Sequence, residues 1–567
     1  RNDSLLVANQ PSYDVMVIPR EVEPLDTILF CNLLKIDKAT FYKSYKRAKN
    51  YSPRLPSPFL RHLSKEDYAF LSEKMRKFKG FYIQKRSLRD YQTSIGANVL
   101  GYIAEANTKE IAKDAYYRLG DLIGKQGVEI SYEKTLRGVK GVKYIQKDIY
   151  NRDIGAYKQG TFDTLPVPGK DIKITIDSEL QAYGELLMQN KIGGIVAIEP
   201  STGEILSLVS APSYNPNLLV GRQRSKNYTK LSLDTIHRPL IDKGLTRMHV
   251  PGSPFKLLVA LTALQEKAIT PKTNIICSGR YIYGKNKRIM QCHCGGGFRN
   301  LDSGISYSCN SYFAMAFRTT IEKYSDASQS MDIWSDHIKS FGLGDFLGND
   351  LSVGKKGNIP NGNYYDKWYP DFQWGATTII SNAIGQGEIL VTPIQLANMT
   401  AAIANKGYYY TPHIIKSIEG EEMNPNFTTP KQTSINPEYY DPIIEGMYNV
   451  YNKGTASFLK VPGIEICGKT GTAENFTKID GVRQQLTDHS IFVAFAPKED
   501  PKIAIAILVE NGYYGSRWAG RMASLMIEKY IKGDVTLKRM EKLVIEKSLE
   551  NEYLKPYSGK PFKINDK

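Results

Sequence analysis

Cysteine is scarce in this chain, 6 among 567 residues, and that scarcity excludes a small scaffold stapled by disulfides. Long apolar runs are missing as well. None approaches the ~18–20 residues a membrane-spanning helix requires, so no stretch of this sequence is expected to cross a bilayer. Helix-turn-helix, zinc-finger and RNA-recognition signatures are also absent. The net charge of +17 therefore reads as solvated helix faces, such as Lys43 to Lys49, Lys74 to Lys79 and Lys538 to Lys547, and no nucleic-acid partner is expected. The sequence opens on Arg1 and not on methionine, which reads as a trimmed ectodomain whose signal or anchor lies upstream.

What is present is an ordinary globular composition, 41% hydrophobic and 11% aromatic, in a chain long enough for about three domains. Residues 1–165 are polar, with helical patches at Lys65 to Lys79 and Ser87 to Ala106 and no candidate catalytic cluster. They read as a non-catalytic module. Gly120, Gly124 and Gly127 stand near its end, but no Gly-Lys-Ser/Thr follows, so tight turns are expected there and not a phosphate loop. A Pro/Gly-punctuated stretch, Leu165 to Gly169, reads as a linker. Beyond it, Asp171 to Ile176 alternates as a strand and Asp177 to Asn190 carries the start signal and period of a helix. Short apolar runs at Gly194 to Glu199 and Ile205 to Ala211 form a hairpin pattern, repeated at Ser490 to Ala496 and Ile503 to Glu510, with a helix at Arg521 to Tyr530. Strands at both ends of a helical middle predict an α+β domain with one antiparallel sheet over residues 166–535. A basic tail, 536–567, follows.

Three short motifs lie in order inside that domain. In Pro251-Gly252-Ser253-Pro254-Phe255-Lys256 the serine and lysine are three apart, and on a helix they share a face. Serine needs a base, and an ordinary lysine with pKa about 10.4 is protonated at neutral pH. Lowering that pKa by ~3 units takes about 4 kcal/mol, which burial and a second cation can supply. Ser308-Cys309-Asn310 offers a hydroxyl to relay a proton and an amide to hold a carbonyl. Lys469-Thr470-Gly471-Thr472 reads as a strand edge: Lys469 as the second cation, the Thr470 and Thr472 hydroxyls as donors to a carboxylate, and Gly471 for close approach. The backbone N–H groups of Ser253 and Thr472 would form an oxyanion hole. Separations of 55 residues from Ser253 to Ser308 and 161 from Ser308 to Lys469 keep the order known for serine enzymes acting on β-lactams and cell-wall peptides.

These motifs, with Gly385-Gln386-Gly387, Thr392 to Leu396 and Ala402 to Gly407, resemble those of class B penicillin-binding proteins. The resemblance runs from Gly120 to about Tyr530. It implies the penicillin-binding transpeptidase fold, an antiparallel sheet flanked by helices, on an N-terminal pedestal of the dimerisation type. It also implies a D,D-transpeptidase that cross-links peptidoglycan: Ser253 attacks the D-Ala-D-Ala bond of a stem peptide and passes the acyl group to an amine, and β-lactams mimic the donor. Ser308 to Phe313 and the cysteine-bearing insert before them are most similar to the elongation type, the penicillin-binding protein 2 group. This implies a SEDS-family glycosyltransferase and other elongation-complex partners, and a periplasmic domain held to the inner membrane by an N-terminal helix. A β-lactamase or D,D-carboxypeptidase and a non-catalytic β-lactam sensor are the alternatives. An intact lysine–serine set disfavours the sensor, and the large first module disfavours the hydrolases.

Cys277, Cys292, Cys294 and Cys309 cluster in sequence, with His293 between the middle pair. Four such ligands suit a structural zinc, and the resemblance points the same way, since some elongation-type members carry zinc beside the active site. His293 is the alternative ligand to Cys294. Two disulfides or free thiols remain open from the spacing alone. Cys31 and Cys467 read as core residues. His489, just before a strand, reads as a structural hydrogen-bonding group, because a lysine already fills the role of base.

Overall fold

A computed structural model of the chain describes every residue except 64, 119, 150–152, 222, 480–481 and 556–567. The chain divides into two compact units, one of Ser4–Ile130 with Tyr214–Asp234, the other of Arg1–Asp3, Ser131–Ser213 and the residues from Thr235 onward. By packing, the chain passes from one unit to the other at Ile130 and not near residue 165. The Pro/Gly stretch there is no free linker, because Val167 and Thr164 bridge back to Val139 and Val142.

In the first unit, strand β1 (Val7–Val17) precedes helices α1 (Thr27–Leu34) and α2 (Lys38–Tyr51), then strands β2 (Ser57–Leu63) and β3 (Phe81–Tyr91). The antiparallel sheet runs β2-β1-β3. Asp26 and Asp37 cap the two helices by accepting from the N–H groups of Ile28 and Leu29 and of Thr40. Phe30, Phe41, Phe59 and Phe81 pack edge to face beneath them. The helix expected at Ser87 to Ala106 is absent: its first residues belong to β3, paired residue for residue with β1 from Val7↔Tyr91 to Val17↔Phe81. Only Ala97–Leu100 forms a helical turn, between two glycines with positive φ. The glycine-rich segment forms turns as expected, and Glu129 behind it is buried in a two-pronged ion pair with Arg89 (2.7 and 3.0 Å).

The second unit is built around one sheet. Helix α3 (Ser178–Leu187), capped by Asp177, leads into β4 (Gly193–Ile198) and β5 (Ile205–Ala211). Helices α4 (Lys256–Gln265), α5 (Asn310–Ile321) and α6 (Pro393–Ala404) form the middle. Strands β6 (Cys467–Ala473), β7 (His489–Ala496) and β8 (Ile503–Val509) and helix α7 (Ala519–Lys532) close it. The five strands are antiparallel in the order β5-β4-β8-β7-β6. Every residue of β4, β5, β7 and β8 is buried, since helices cover both faces; hence these strands read as unbroken apolar runs and not as alternating ones. The edge strand β6 differs. It is short of large side chains and carries the third motif.

The described part of the basic tail is structured and belongs to this unit. Helices α8 (Lys538–Glu546) and α9 (Glu550–Tyr553) are fastened by Tyr183 donating to Glu541 (2.9 Å), buried Lys191 donating to the Val544 carbonyl (2.7 Å) and Tyr513 donating to Glu552 (2.6 Å). Among the described residues no helix is long and apolar enough to cross a membrane.

Candidate active site

The first motif forms a tight turn ahead of α4. Gly252 has φ +60°, and a Cβ there would lie 2.6 Å from the Thr472 carbonyl oxygen, so only glycine fits both the conformation and the approach. Pro254 sits within the first turn that follows, where its missing N–H costs nothing. Ser253 is then partly exposed at the start of a helix whose next turns are fully buried.

Lys256, with no exposed surface, aims its Nζ at the second motif. It donates to the Ser308 carbonyl (2.9 Å), to Ser308 Oγ (3.1 Å) and to Asn310 Oδ1 (2.6 Å), while Ser308 Oγ donates to Ser253 Oγ (3.0 Å). The sequence suggests a serine–lysine bond on one helix face; the hydrogen bonds run instead through Ser308, held at φ +55°. Asn310 is less available to substrate than expected. Its Oδ1 is taken by Lys256 and its Nδ2 donates to the Gln291 carbonyl (2.7 Å).

Burial lowers the Lys256 pKa to about 8, against the opposite pull of the neighbouring Cys292, Cys309 and Cys294. Lys469, equally buried on β6, is pushed well below its ordinary value by burial and then by repulsion from Lys256. Burial, not a second cation, is thus the main reason that Lys256 can be neutral. The repulsion falls on Lys469.

The third motif lines the other side. Thr470 shares a hydroxyl contact with Thr455 (3.0 Å). A Cβ on Gly471 would lie 2.5 Å from Pro254 Cδ, so glycine is what lets β6 lie against the nucleophile's turn. The Thr472 carbonyl accepts from Gln386 Nε2 (3.2 Å). Because a strand residue points its N–H and C=O to the same side, the Thr472 N–H also faces the Ser253 turn. Thr455 and the Gln291 carbonyl gave no sequence signal; Gln386 lay in a segment noted only for its resemblance. Gly385 of that segment accepts from the Gly252 N–H (2.9 Å).

Cys277, Cys292, Cys294 and Cys309 are buried together, their sulfurs all within 4.8 Å of one another. Cys292 and Cys309 are 3.7 Å apart and Cys294 and Cys277 3.6 Å, near the ~3.8 Å edge of a tetrahedron of sulfurs 2.3 Å from a zinc ion. The donor set therefore fits zinc. None of the six cysteines is in a disulfide, and Cys31 and Cys467 are buried. His293 is exposed and outside the cluster, and Cys294 is buried within it. The Asn310 N–H donates to Cys292 Sγ (3.2 Å), which joins the cluster to the catalytic motif.

His489 Nδ1 accepts from the Asn511 N–H (3.1 Å), and its ring meets that of His249 edge to face at 4.6 Å. Burial lowers its pKa to about 4. It is a neutral structural group, as expected.

A partly exposed serine, bonded through a second serine to a buried lysine and faced by a Lys-Thr-Gly strand edge, defines an active-site-serine acyltransferase of the penicillin-recognising class. Residues 193–528 match the family model of the penicillin-binding protein transpeptidase domain, and residues 1–174 that of the penicillin-binding protein dimerisation domain. The chain belongs to the penicillin-binding protein family. It is 32% identical to the peptidoglycan D,D-transpeptidase MrdA of Acinetobacter baumannii, over 91% of this chain and 77% of that one. The MrdA of Escherichia coli K12 is 28% identical over 94% and 86%. Among solved structures, the complex of a penicillin-binding protein (PBP2) with MreC from Helicobacter pylori is similar with a TM-score of 0.79 and 26% identity, covering 94% of this chain and 97% of that one. The Pseudomonas aeruginosa PBP2 in complex with WCK 5153 has a TM-score of 0.66 at 30% identity, covering 80% and 93%.

Proposed function

We infer that this chain is a peptidoglycan D,D-transpeptidase that works through an acyl-enzyme on Ser253. The observation that carries the assignment is the hydrogen-bonded set Ser253–Ser308–Lys256 with a lysine held down to about 8. Neutral Lys256 takes the Ser253 proton through Ser308 as Ser253 Oγ bonds to the carbonyl carbon of the penultimate D-alanine. The oxyanion faces the N–H groups of Ser253 and Thr472. Collapse breaks the peptide bond, and the terminal D-alanine leaves with the proton from Lys256. An amine of a second strand then attacks the ester and restores Ser253. Thr470, Thr472 and Lys469 hold the donor's terminal carboxylate. β-Lactams present the same carbonyl and carboxylate, and their ring keeps the leaving group attached.

A structural zinc on Cys277, Cys292, Cys294 and Cys309 is supported by their spacing and burial; bound there, it would fix the insert against Asn310 and take no part in acyl transfer. Service in elongation, on the periplasmic side of an inner membrane and beside a SEDS-family glycosyltransferase, is supported by likeness to the MrdA proteins and to the PBP2 solved with MreC. Intact mass after incubation with a penicillin tests the central reading. One stable adduct is expected on the wild type and none on Ser253→Ala; an adduct on both, or rapid return of free enzyme, overturns it. Native mass with and without a chelator tests the zinc, and an unchanged mass removes it.

A further inference from the structure

Between Glu266 and Asp302 the sequence holds no acidic residue but seven cations: Lys267, Lys272, Arg280, Lys285, Lys287, Arg288 and Arg299. Part of this stretch is a hairpin, Arg280–Tyr283 paired with Arg288–Gln291. Its inner face stacks Tyr281 on Tyr283 (6.3 Å), and its outer face presents Arg280, Ile282, Ile289 and Gln291, all exposed. The turn joining the strands carries Lys285 and Lys287. None of Arg280, Lys285, Lys287 and Arg288 has an acidic partner among the described residues. Elsewhere on the chain many surface cations are paired, as Lys323 is with Glu266 and Lys453 with Asp302.

The position of this hairpin gives the charge a direction. Its base is fixed by the cysteine cluster, Cys277 entering it and Cys292 leaving it, with the Cys292 N–H donating to the Gly279 carbonyl (2.9 Å). Its last residue, Gln291, holds the Asn310 amide through its carbonyl (2.7 Å). At about 3.3 Å per strand residue, Arg288 lies roughly 10 Å and Lys287 roughly 13 Å along the strand from that bond. Both distances exceed the Debye length of about 8 Å at physiological salt, so the cations act on groups of a substrate that reach the arm itself and not on charge at Ser253.

We propose that this hairpin is a cationic arm that draws in and holds the free carboxylates of a peptidoglycan stem peptide outside the reacting bond. The inference rests on the transpeptidase reading of the same site. Arg280, Lys285 and Lys287 meet the side-chain carboxylates of the peptide, Ile282 with Ile289 gives its backbone an apolar floor, and Arg288, on the tyrosine face beside the turn, adds to the positive field. The residues at the scissile bond take the terminal carboxylate, so the arm sets KM and not the chemical step.

The test is Lys285→Glu/Lys287→Glu/Arg288→Glu in the otherwise intact chain, assayed with a stem-peptide donor bearing free side-chain carboxylates and with its amidated form. The variant should raise KM for the free acid by roughly tenfold at low salt. The penalty should shrink as sodium chloride is added, with kcat and the KM of the amidated peptide unchanged. Acylation by benzylpenicillin, whose carboxylate goes to the Lys469 side, should stay within about twofold of wild type, which certifies the fold and Ser253. An unchanged KM for the free acid refutes the arm, and so does an equal loss for both peptides. Loss of penicillin acylation in the variant refutes the separation of arm from catalytic centre. A wild type that penicillin does not acylate fails the transpeptidase reading, and the arm's substrate fails with it.

Discussion

Replacing Asn310 by aspartate tests whether a neutral lysine drives the chemistry. Lys256 Nζ donates to Asn310 Oδ1 at 2.6 Å, and burial lowers its pKa to about 8 from 10.5. At pH 7 a group of pKa about 8 is neutral in roughly one molecule in ten, against roughly three in ten thousand at its ordinary value. The asparagine leaves that gain intact because it is uncharged. Asn310→Asp keeps the shape and puts a carboxylate in direct contact with the ammonium, and an opposite charge at such a distance raises a lysine pKa by about 1–3 units. The sign follows: the ammonium is favoured, the base is lost at neutral pH, and raising the pH recovers it. Acylation by a fluorescent penicillin, followed in stopped flow from about pH 6 to about pH 10, should climb about tenfold per unit in the wild type and level off near 8. In Asn310→Asp the bend should move to about 10, with a loss of about a hundredfold at pH 7 that disappears at the alkaline end. Lys256→Met, by contrast, should lose 10²–10⁴-fold at every pH. A profile for Asn310→Asp that still bends near 8, in a protein that melts as wild type does, refutes the argument.

Gly471→Ala places a methyl group 2.5 Å from Pro254 Cδ; β6 must retreat from the Ser253 turn, and penicillin acylation should fall by at least about tenfold with a modest drop in melting temperature. Cys292→Ser removes one thiol of the cluster and the sulfur that accepts from the Asn310 N–H, so native mass should lose any bound metal and the melting transition should come earlier. Arg89→Ala strands the buried Glu129 carboxylate in the first unit, a cost of about 3–5 kcal/mol; limited proteolysis should open that unit first while Ser253 acylates as before. Glu552→Ala removes the acceptor shared by Tyr513 and Thr487. A loss of about 1–3 kcal/mol is expected, read as a lower urea midpoint for the transpeptidase unit.

The chemistry was legible in the sequence because short-range geometry carries it. A nucleophile and a lysine one helical turn apart, and a glycine between two threonines on a strand, mean much the same in any context. The sheet was legible too, since β4, β5, β7 and β8 are buried on both faces and stand out as apolar runs. Long-range pairing was not legible. Phe81–Tyr91 is half exposed and rich in charge, so its pattern suits an amphipathic helix, and only alignment with β1, some seventy residues earlier, makes it a strand. The C-terminal helices looked like a basic tail because their anchors, Tyr183, Lys191 and Tyr513, lie far away in the chain. The return of Tyr214–Asp234 to the first unit was hidden likewise; Asn217 there donates to the Tyr91 carbonyl at the end of β3.

The two buried lysines explain why a donor with a free carboxyl terminus suits this enzyme. Lys256 and Lys469 have no exposed surface, and charge on Lys256 adds to the cost of charging Lys469. Before substrate binds, Lys469 is therefore the more strongly neutral of the pair, and the neutral fraction of Lys256 serves as the base. A terminal carboxylate settling on Thr470 and Thr472 brings the counter-charge that lets Lys469 be an ammonium, and it does so on the β6 side, while Asn310 and Ser308 keep Lys256 in an uncharged cradle. The charge that recognises the donor and the neutrality that activates Ser253 are thus assigned to different lysines by their different neighbours. An amide-terminated donor would leave Lys469 without its counter-charge and should acylate Ser253 slowly even though its scissile bond is the same.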